Sequence, residues 1–382
     1  MMTGIKNILY GWMATLMLGC CALFVVSCSS DDPEPEPEQK QEQGDLLQVV
    51  SCTRSDDALI ESGSKIKMFI TTDDGDAPEE AIFERTARNS DPFWTTGGKI
   101  KENVDYYLYG MLFGDKITPS INITPSISPG GYSSGATLTV NDLSPLALEG
   151  QDPCVIVGVK GTTDNNVTLG ENDVERGKFG YKGRAKEHNY VHLLLDRLYS
   201  AVSFDFGPLD SEYASLRTIK LTKLELKVNS SAWSNLNLSI QLKANDEGNP
   251  VETITASQSG TTDLEPIILF ECAAGKEFSE IQDGEIKVCC FEPSVARYLS
   301  IVSQYDVYDK GDPSRNIEPY KLSSRTAENA LGGILTYTDP QTNTQLPTLT
   351  RGEKLTLTLT VNPTYLYQLS DPDATIVTIK KP

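Results

Sequence analysis

Residues 354–361 read KLTLTLTV, and their alternation decides the fold. Leu355, Leu357, Leu359 and Val361 fall on one side of an extended chain, and Thr356, Thr358 and Thr360 fall on the other. A period of two held over that length describes an antiparallel strand with one buried and one wet face. A helix would scatter the same leucines around its axis. Working outward, Asn235 to Leu242 repeats the pattern with Leu236, Leu238, Ile240 and Leu242, and Lys65 to Thr71 repeats it with Ile66, Met68 and Ile70. Leu46 to Val50 and Cys154 to Val159 are apolar on both faces, which predicts strands covered on both sides.

Between Leu216 and Val228 the alternation changes phase. Ile219 and Leu221 share one parity, and Leu224, Leu226 and Val228 share the other. One extra residue near Thr222-Lys223 restores a single buried face, which predicts a β-bulge of the kind that bends strands in a sandwich. Helical signals are short. Ser324 to Leu331 reads as two turns ended by Gly332, and Ser211 to Leu216 as one turn. Without a long amphipathic helix there is no parallel α/β sheet and none of the usual nucleotide-binding architectures.

The expectation is therefore an all-β chain of antiparallel β-sandwiches with a few short helices. Its 382 residues suffice for two cores, and 39% apolar content suits a folded body. The stretch Thr162 to Lys186 is polar and glycine-bearing, and strand-like sequence resumes at Tyr190. This places a boundary near residue 186, with one sandwich over 46–186 and a second over 187–382. The Pro-rich stretch Ile117 to Gly131 reads as a long connection inside the first. A formal net charge of −20 argues against a nucleic-acid partner, because the phosphate backbone repels such a surface.

The N-terminus carries the most specific signal. Lys6 precedes a nearly continuous apolar run from Ile8 to Val26, which ends at Val25-Val26-Ser27-Cys28. Positive, apolar, then small residues before a cut is the order of a signal peptide, here residues 1–27. The run resembles a lipobox, in which Cys28 is acylated and becomes the first mature residue. Cutting at Cys20 or Cys21 would leave Ala22 to Val26 on the product. A single membrane-spanning helix is the competing reading. Residues 28–45 continue as Ser29-Ser30-Asp31-Asp32, alternating Pro and Glu, and a Gln-rich tract. Such sequence stays extended and solvated as a spacer. Acidic residues after the acylated cysteine also resemble a surface-export signal, which predicts display on the cell outer membrane.

Chemistry-bearing residues are sparse. The chain has two histidines, His188 and His192, in the run EHNYVHLLL, which lacks the internal glutamate of a zinc-binding HExxH helix. The expectation is polar residues at a strand start, with no metal and no cofactor. No G-x-S-x-G elbow is present, and 53 acidic residues make any chosen carboxylate pair uninformative. Asp73-Asp74-Gly75-Asp76 lacks the distal glutamate of a calcium loop and reads as a solvated turn. Trp94, Trp233, Tyr106, Tyr107 and Tyr109 are candidates for stacking on sugars or for packing in the core. Of the mature cysteines, Cys52, Cys154, Cys272, Cys289 and Cys290 are odd in number and form no C-x-x-C, so they read as small buried hydrophobes. Adjacent Cys289 and Cys290 in a strand face opposite sides. None of this supports an enzyme.

Three stretches together resemble the fimbrillin-like family of surface lipoproteins, the subunits of lipoprotein-derived fimbriae. They are the lipobox with its acidic tail, the segment HNYVHLLLDRLYSAVSFDF…LRTIKLTKLELKV, and the C-terminal KLTLTLTVNPTYLYQLSD. The stretch Asp73 to Gly98 departs most from that pattern. The resemblance implies two sandwiches of Greek-key, transthyretin-like type, and export as a lipoprotein. It implies a cut after an arginine that follows the first strand. A strand from the next subunit would then fill the vacated groove. Here Leu46 to Thr53 is an apolar first strand and Arg54 follows it, so Arg54 is the candidate cut site, with Arg85 and Arg88 as alternatives. A turn residue in an uncut protein is the competing reading of Arg54. Only Thr375 to Ile379 follows the turn at Asp371-Pro372, which is short for a donor strand, so a tip or accessory position stands beside a stalk position. The alternative from another class is a surface lipoprotein that binds glycan without polymerising. A disulfide between Cys52 and Cys154 would exclude loss of the first strand.

Overall fold

The computed structural model describes residues 45–54, 63–85, 93–94, 98–114, 119–126, 131–167, 169, 173–185, 188–245, 251–362 and 374–380. All belong to one compact unit, residues 42–382. The chain enters with β1 (Asp45–Leu46), β2 (Gln48–Arg54), β3 (Lys65–Thr71) and β4 (Glu79–Arg85). Next come β5 (Phe93–Trp94), β6 (Lys99–Ile100), β7 (Asp105–Phe113), β8 (Ser120–Pro125) and β9 (Gly135–Leu143). β10 (Leu146–Leu148), β11 (Cys154–Thr162), β12 (Gly180–Lys182), β13 (Tyr190–Arg197) and β14 (Ser200–Phe206) follow, then the helical turn α1 (Ser211–Leu216). The second half continues with β15 (Arg217–Val228), β16 (Leu236–Lys243), β17 (Val251–Gln258), β18 (Ile267–Glu277), β19 (Cys289–Phe291) and β20 (Leu299–Asp309). It closes with β21 (Tyr320–Ala330), α2 (Gly332–Leu335), β22 (Thr336–Thr338), β23 (Gln345–Pro347), β24 (Lys354–Asn362) and β25 (Ala374–Lys380).

The largest sheet runs β11-β13-β2-β5-β4-β3-β7-β12, and β11 also pairs with β7. That extra pairing closes seven of the strands into a ring, with β12 attached outside it. Strand β7 shows how sequence sets its two faces. Tyr106, Leu108 and Leu112 point into the ring core, while Tyr109, Met111 and Phe113 pack outward. Both faces are covered, so the strand reads as an almost unbroken apolar run. Gly110 takes an inward position where a Cβ would lie 2.3 Å from the Lys67 carbonyl oxygen, too close for any side chain. Strand β11 behaves likewise: Cys154 and Ile156 face the ring, Val155 and Val157 face out, and the register shifts before Gly158.

The outward face packs on a four-stranded sheet, β17-β16-β9-β8. Leu138 and Val140 of β9 and Leu236, Leu238, Ile240 and Leu242 of β16 supply its buried side. The second sandwich stacks β10-β19-β14-β24-β25 on β18-β15-β20-β21. Its core joins Val202, Phe204, Leu355, Leu357 and Leu359 to Leu221, Leu224, Leu226, Leu299 and Ile301. Strand pairing crosses residue 186 in both directions. β16 of the later half pairs with β9, and β10 of the earlier half pairs with β19. Most pairings are antiparallel, but β2 runs parallel to β13 and β14 runs parallel to β24.

The expected bulge is present, since the register of β15 shifts between Leu221 and Lys223 against both neighbours. The turn α1 begins where Asp210 accepts from the Glu212 and Tyr213 amides. Three expectations need correction. Ser324 to Leu331 is not a helix: Ser324 to Ala330 lies in β21, which pairs along one side with β20. The stretch Ile117 to Gly131 is not wholly connection, because it contains β8, paired with β9. Leu46 to Val50 is covered on one side only, with Leu47 and Val49 buried and Leu46 exposed.

Candidate functional site

The first long strand, β2, is held on both sides. It lies parallel to β13 from Gln48↔Tyr190 to Arg54↔Leu195, and Val49 pairs with Phe93 of β5. Leu47 and Val49 are fully buried in the ring core, and Cys52 packs half-buried against it. Burial pushes the Cys52 thiol up to about 12, against the opposing effect of Arg85, so it stays a neutral hydrophobe at physiological pH.

A polar pin crosses this apolar setting. The Ser51 hydroxyl lies 2.7 Å from His192 Nδ1, and the Thr162 hydroxyl lies 3.1 Å from His192 Nε2. Thr162 Oγ1 also donates to the Asp164 carbonyl, 3.0 Å away. With that proton committed, Thr162 accepts from Nε2–H, and Ser51 donates to Nδ1. Burial first, then Lys160, lowers the His192 pKa, which favours this neutral ring. The pin therefore joins β2, β13 and β11. A hydroxyl, not a carboxylate, stands behind the imidazole, so the Ser–His contact lacks the acidic partner of a nucleophilic triad. His188 precedes β13, is exposed, and sits 3.1 Å from the Thr163 carbonyl. The two histidines do not converge.

Arg54 is the last residue of β2. Arg85 ends β4, and its amide donates to Ser64 while its carbonyl accepts from Gly63. Cys28 and Arg88 lie outside the described residues. If β2 leaves the ring, one edge of β13 loses its backbone partners and the slot occupied by Leu47 and Val49 opens to water. Such an edge is a template for an incoming strand. Among the described residues no disulfide opposes that departure: Cys52, Cys154, Cys272, Cys289 and Cys290 carry thiols. Cys289 and Cys290 face opposite sides, Cys289 in the second core and Cys290 in the first. At the other end of the chain, β25 pairs with β24 from Asn362↔Ala374 to Thr356↔Lys380 and forms the edge of its sheet.

The remaining sequence candidates take structural places. Asp73 Oδ1 accepts from the Tyr132 and Ser133 amides at 2.6 and 3.2 Å, and Asp74 accepts from Thr72 and from the Asp76 amide. Those bonds, Thr72 first, hold the Asp74 carboxyl below its usual range. Among the described residues no group of three or more His, Cys, Asp or Glu is placed to hold a metal ion. Tyr106 and Tyr109 are core residues, Tyr107 is half-buried, and Trp233 packs 6.3 Å from Tyr298. The Trp94 side chain lies outside the described residues.

Sequence reasoning missed two polar contacts. One is the Ser51–His192–Thr162 pin. The other is buried Arg197, which donates to Asp152 through Nε at 2.7 Å and Nη2 at 3.0 Å and reaches Cys290 Sγ at 3.3 Å. The available signal was a polar residue inside an otherwise apolar strand, as at Ser51 and His192.

Known proteins resemble the chain weakly. No protein-family model matches it, and no curated protein is similar in sequence. Among solved structures it is similar to a candidate cell adhesion protein from Bacteroides uniformis, at 10% identity over 90% of this chain and 98% of that one, with a TM-score of 0.38. It is also similar to a fimbrial protein from Bacteroides vulgatus, at 11% identity over 88% and 99%, with a TM-score of 0.35. A third is the tip fimbrial protein Mfa3 from Porphyromonas gingivalis, truncated at its C-terminus, at 9% identity over 87% and 98%, with a TM-score of 0.27.

Proposed function

We propose that the chain is a structural and adhesive subunit of a surface fimbrium, in a stalk, tip or accessory position. In this reading Cys28 is acylated and the spacer holds the body outside the cell outer membrane. Residues 46–186 and 187–382 then act as two sandwiches that share strands. Cleavage after Arg54 releases β2, and a strand from another subunit enters the vacated place beside β13. The observation that carries the reading is β2 itself: an apolar strand parallel to β13, ending on an arginine and tied by no disulfide. The sequence resemblance to fimbrillin-like lipoproteins agrees with it. Ligands of such a subunit would be other subunits and a host surface or glycan.

Intact mass of the protein recovered from the surface of its own cells tests this. A species beginning at Ser55 is expected, and Arg54→Gln should abolish it. A single species that retains acylated Cys28 would overturn strand release and leave an anchored, non-polymerising lipoprotein.

A further inference from the structure

The place that β2 fills beside β13 makes chemical demands on its occupant. Its backbone demands are general. The Leu47 amide donates to the Gly98 carbonyl at 3.0 Å and the Gln48 amide to the Asn189 carbonyl at 2.9 Å, and any extended chain can repeat such bonds. Its side-chain demands are narrower. Val49 opposes Val191, but Ser51 and not Val50 opposes His192, so β2 carries one extra residue at that point. The bulge changes which parity meets the ring core. Leu47 and Val49 are buried there, and beyond the bulge Cys52 packs against the same core, opposite Leu193.

His192 lies between the core residues Val191 and Leu193, so its ring leaves β13 on the other face. The ring is nevertheless only 2% exposed. Its Nε2–H is committed to Thr162, whose own proton goes to the Asp164 carbonyl. Nδ1 is therefore a fixed, buried acceptor turned toward β2, and the Ser51 hydroxyl, 2.7 Å away, supplies its donor. Removing one partner of a buried pair costs more than the pair contributes, because the remaining group has already lost its water.

We infer that His192 selects the strand that replaces β2: the incoming segment of another subunit carries serine or threonine opposite this ring. The full demand is apolar residues at the places of Leu47, Val49 and Cys52 and a hydroxyl at that of Ser51, with one residue spare at Val50. The inference rests on the strand release proposed above and names the chemistry of the strand that follows. A strand of strict apolar alternation meets the backbone demands and fails here. It either leaves Nδ1 without a donor or brings the wrong parity to the place of Cys52. Such rejection gives specificity that backbone pairing cannot give.

The test uses the full chain with a specific protease site placed after Arg54, so that cutting leaves β2 in place but no longer covalently joined. Fluorescent peptides of the sequence LLQVVSCTR, residues 46–54, are added to the cut chain and their entry is followed by anisotropy. The Ser51→Thr peptide should bind within about twofold of the natural one, and Ser51→Ala and Ser51→Val about fivefold more weakly. A peptide lacking Val50 should lose about as much. In a His192→Leu chain the natural and Ser51→Val peptides should bind alike, which a general effect of the peptide would not produce. If that variant fails to fold, the series on the natural chain decides alone. Entry of the Ser, Ala and Val peptides with equal affinity overturns the selection and leaves strand exchange standing. Entry of none, the natural peptide included, overturns strand release and the selection with it.

Discussion

Strands β2 and β21 make an instructive pair. β2 has seven residues and a neighbour on each side, and it sinks Val49 into a core just after buried Leu47. β21 has eleven residues, pairs only with β20, and leaves most of its side chains in water. Length therefore says little about how much a strand contributes. Enclosure does, because an enclosed strand loses backbone partners and apolar contacts together, whereas an edge strand risks one ladder of hydrogen bonds. In the proposed function the more tightly held strand is the one that leaves, so its replacement must restore the same contacts.

The sharpest break of this contrast is Val49→Asp in the uncut chain. It places a carboxylate without a partner in the ring core and should cost about 4 kcal/mol or more. Thr326→Asp on β21 should stay within about 0.5 kcal/mol, as exposed edge substitutions do. Urea denaturation of both variants measures the difference, and equal midpoints would refute the ranking.

A finer cut targets the pin. Ser51→Ala should cost about 1 kcal/mol by leaving His192 Nδ1 without its donor. The same pin gives β2 a pH dependence. Burial depresses the folded His192 pKa, while the unfolded ring titrates near its ordinary value of about 6.5. The neutral-ring stability is thus present above about pH 6.5 and is lost as pH falls through the folded value. His192→Gln should flatten that decline. Buried Glu292, raised by desolvation against Arg351, acts with the opposite sign: its contribution is present below the ordinary glutamate range and is lost as pH rises. Comparing wild type with the His192 variant isolates the imidazole, and parallel pH profiles would remove it from the account.

The same two strands show what the sequence can and cannot disclose. Where one face is buried the period of two survives, so β3, β16 and β24 were legible, and the change of parity in β15 disclosed its bulge. β21 carries no such record. Its odd residues Ser323, Ala327 and Asn329 are only half-buried and its even residues face water, so local composition imitated a helix. β8 keeps a brief alternation, with Ile121 buried and Ile123 half-buried, but Pro119 and Pro125 bound it and made the stretch read as connection. Periodicity also states that a face is buried without naming its partner. Nothing in Leu236, Leu238, Ile240 and Leu242 announced that they would complete the sheet behind Tyr109 and Met111. The pin at His192 depends on that same long-range assembly and has no local motif.

That borrowed hairpin also sets an order of birth. Chains grow from the N-terminus, and early parts usually fold as they emerge. Here the ring strands β2 to β13 are all made before residue 200, yet the sheet that backs them lacks β16 and β17 until residue 258 has been added. Throughout that interval the outer face of Tyr109, Met111 and Phe113 is short of two of its four covering strands. A nascent chain in that state is sticky on one side, and whatever escorts it must stay bound until the hairpin arrives.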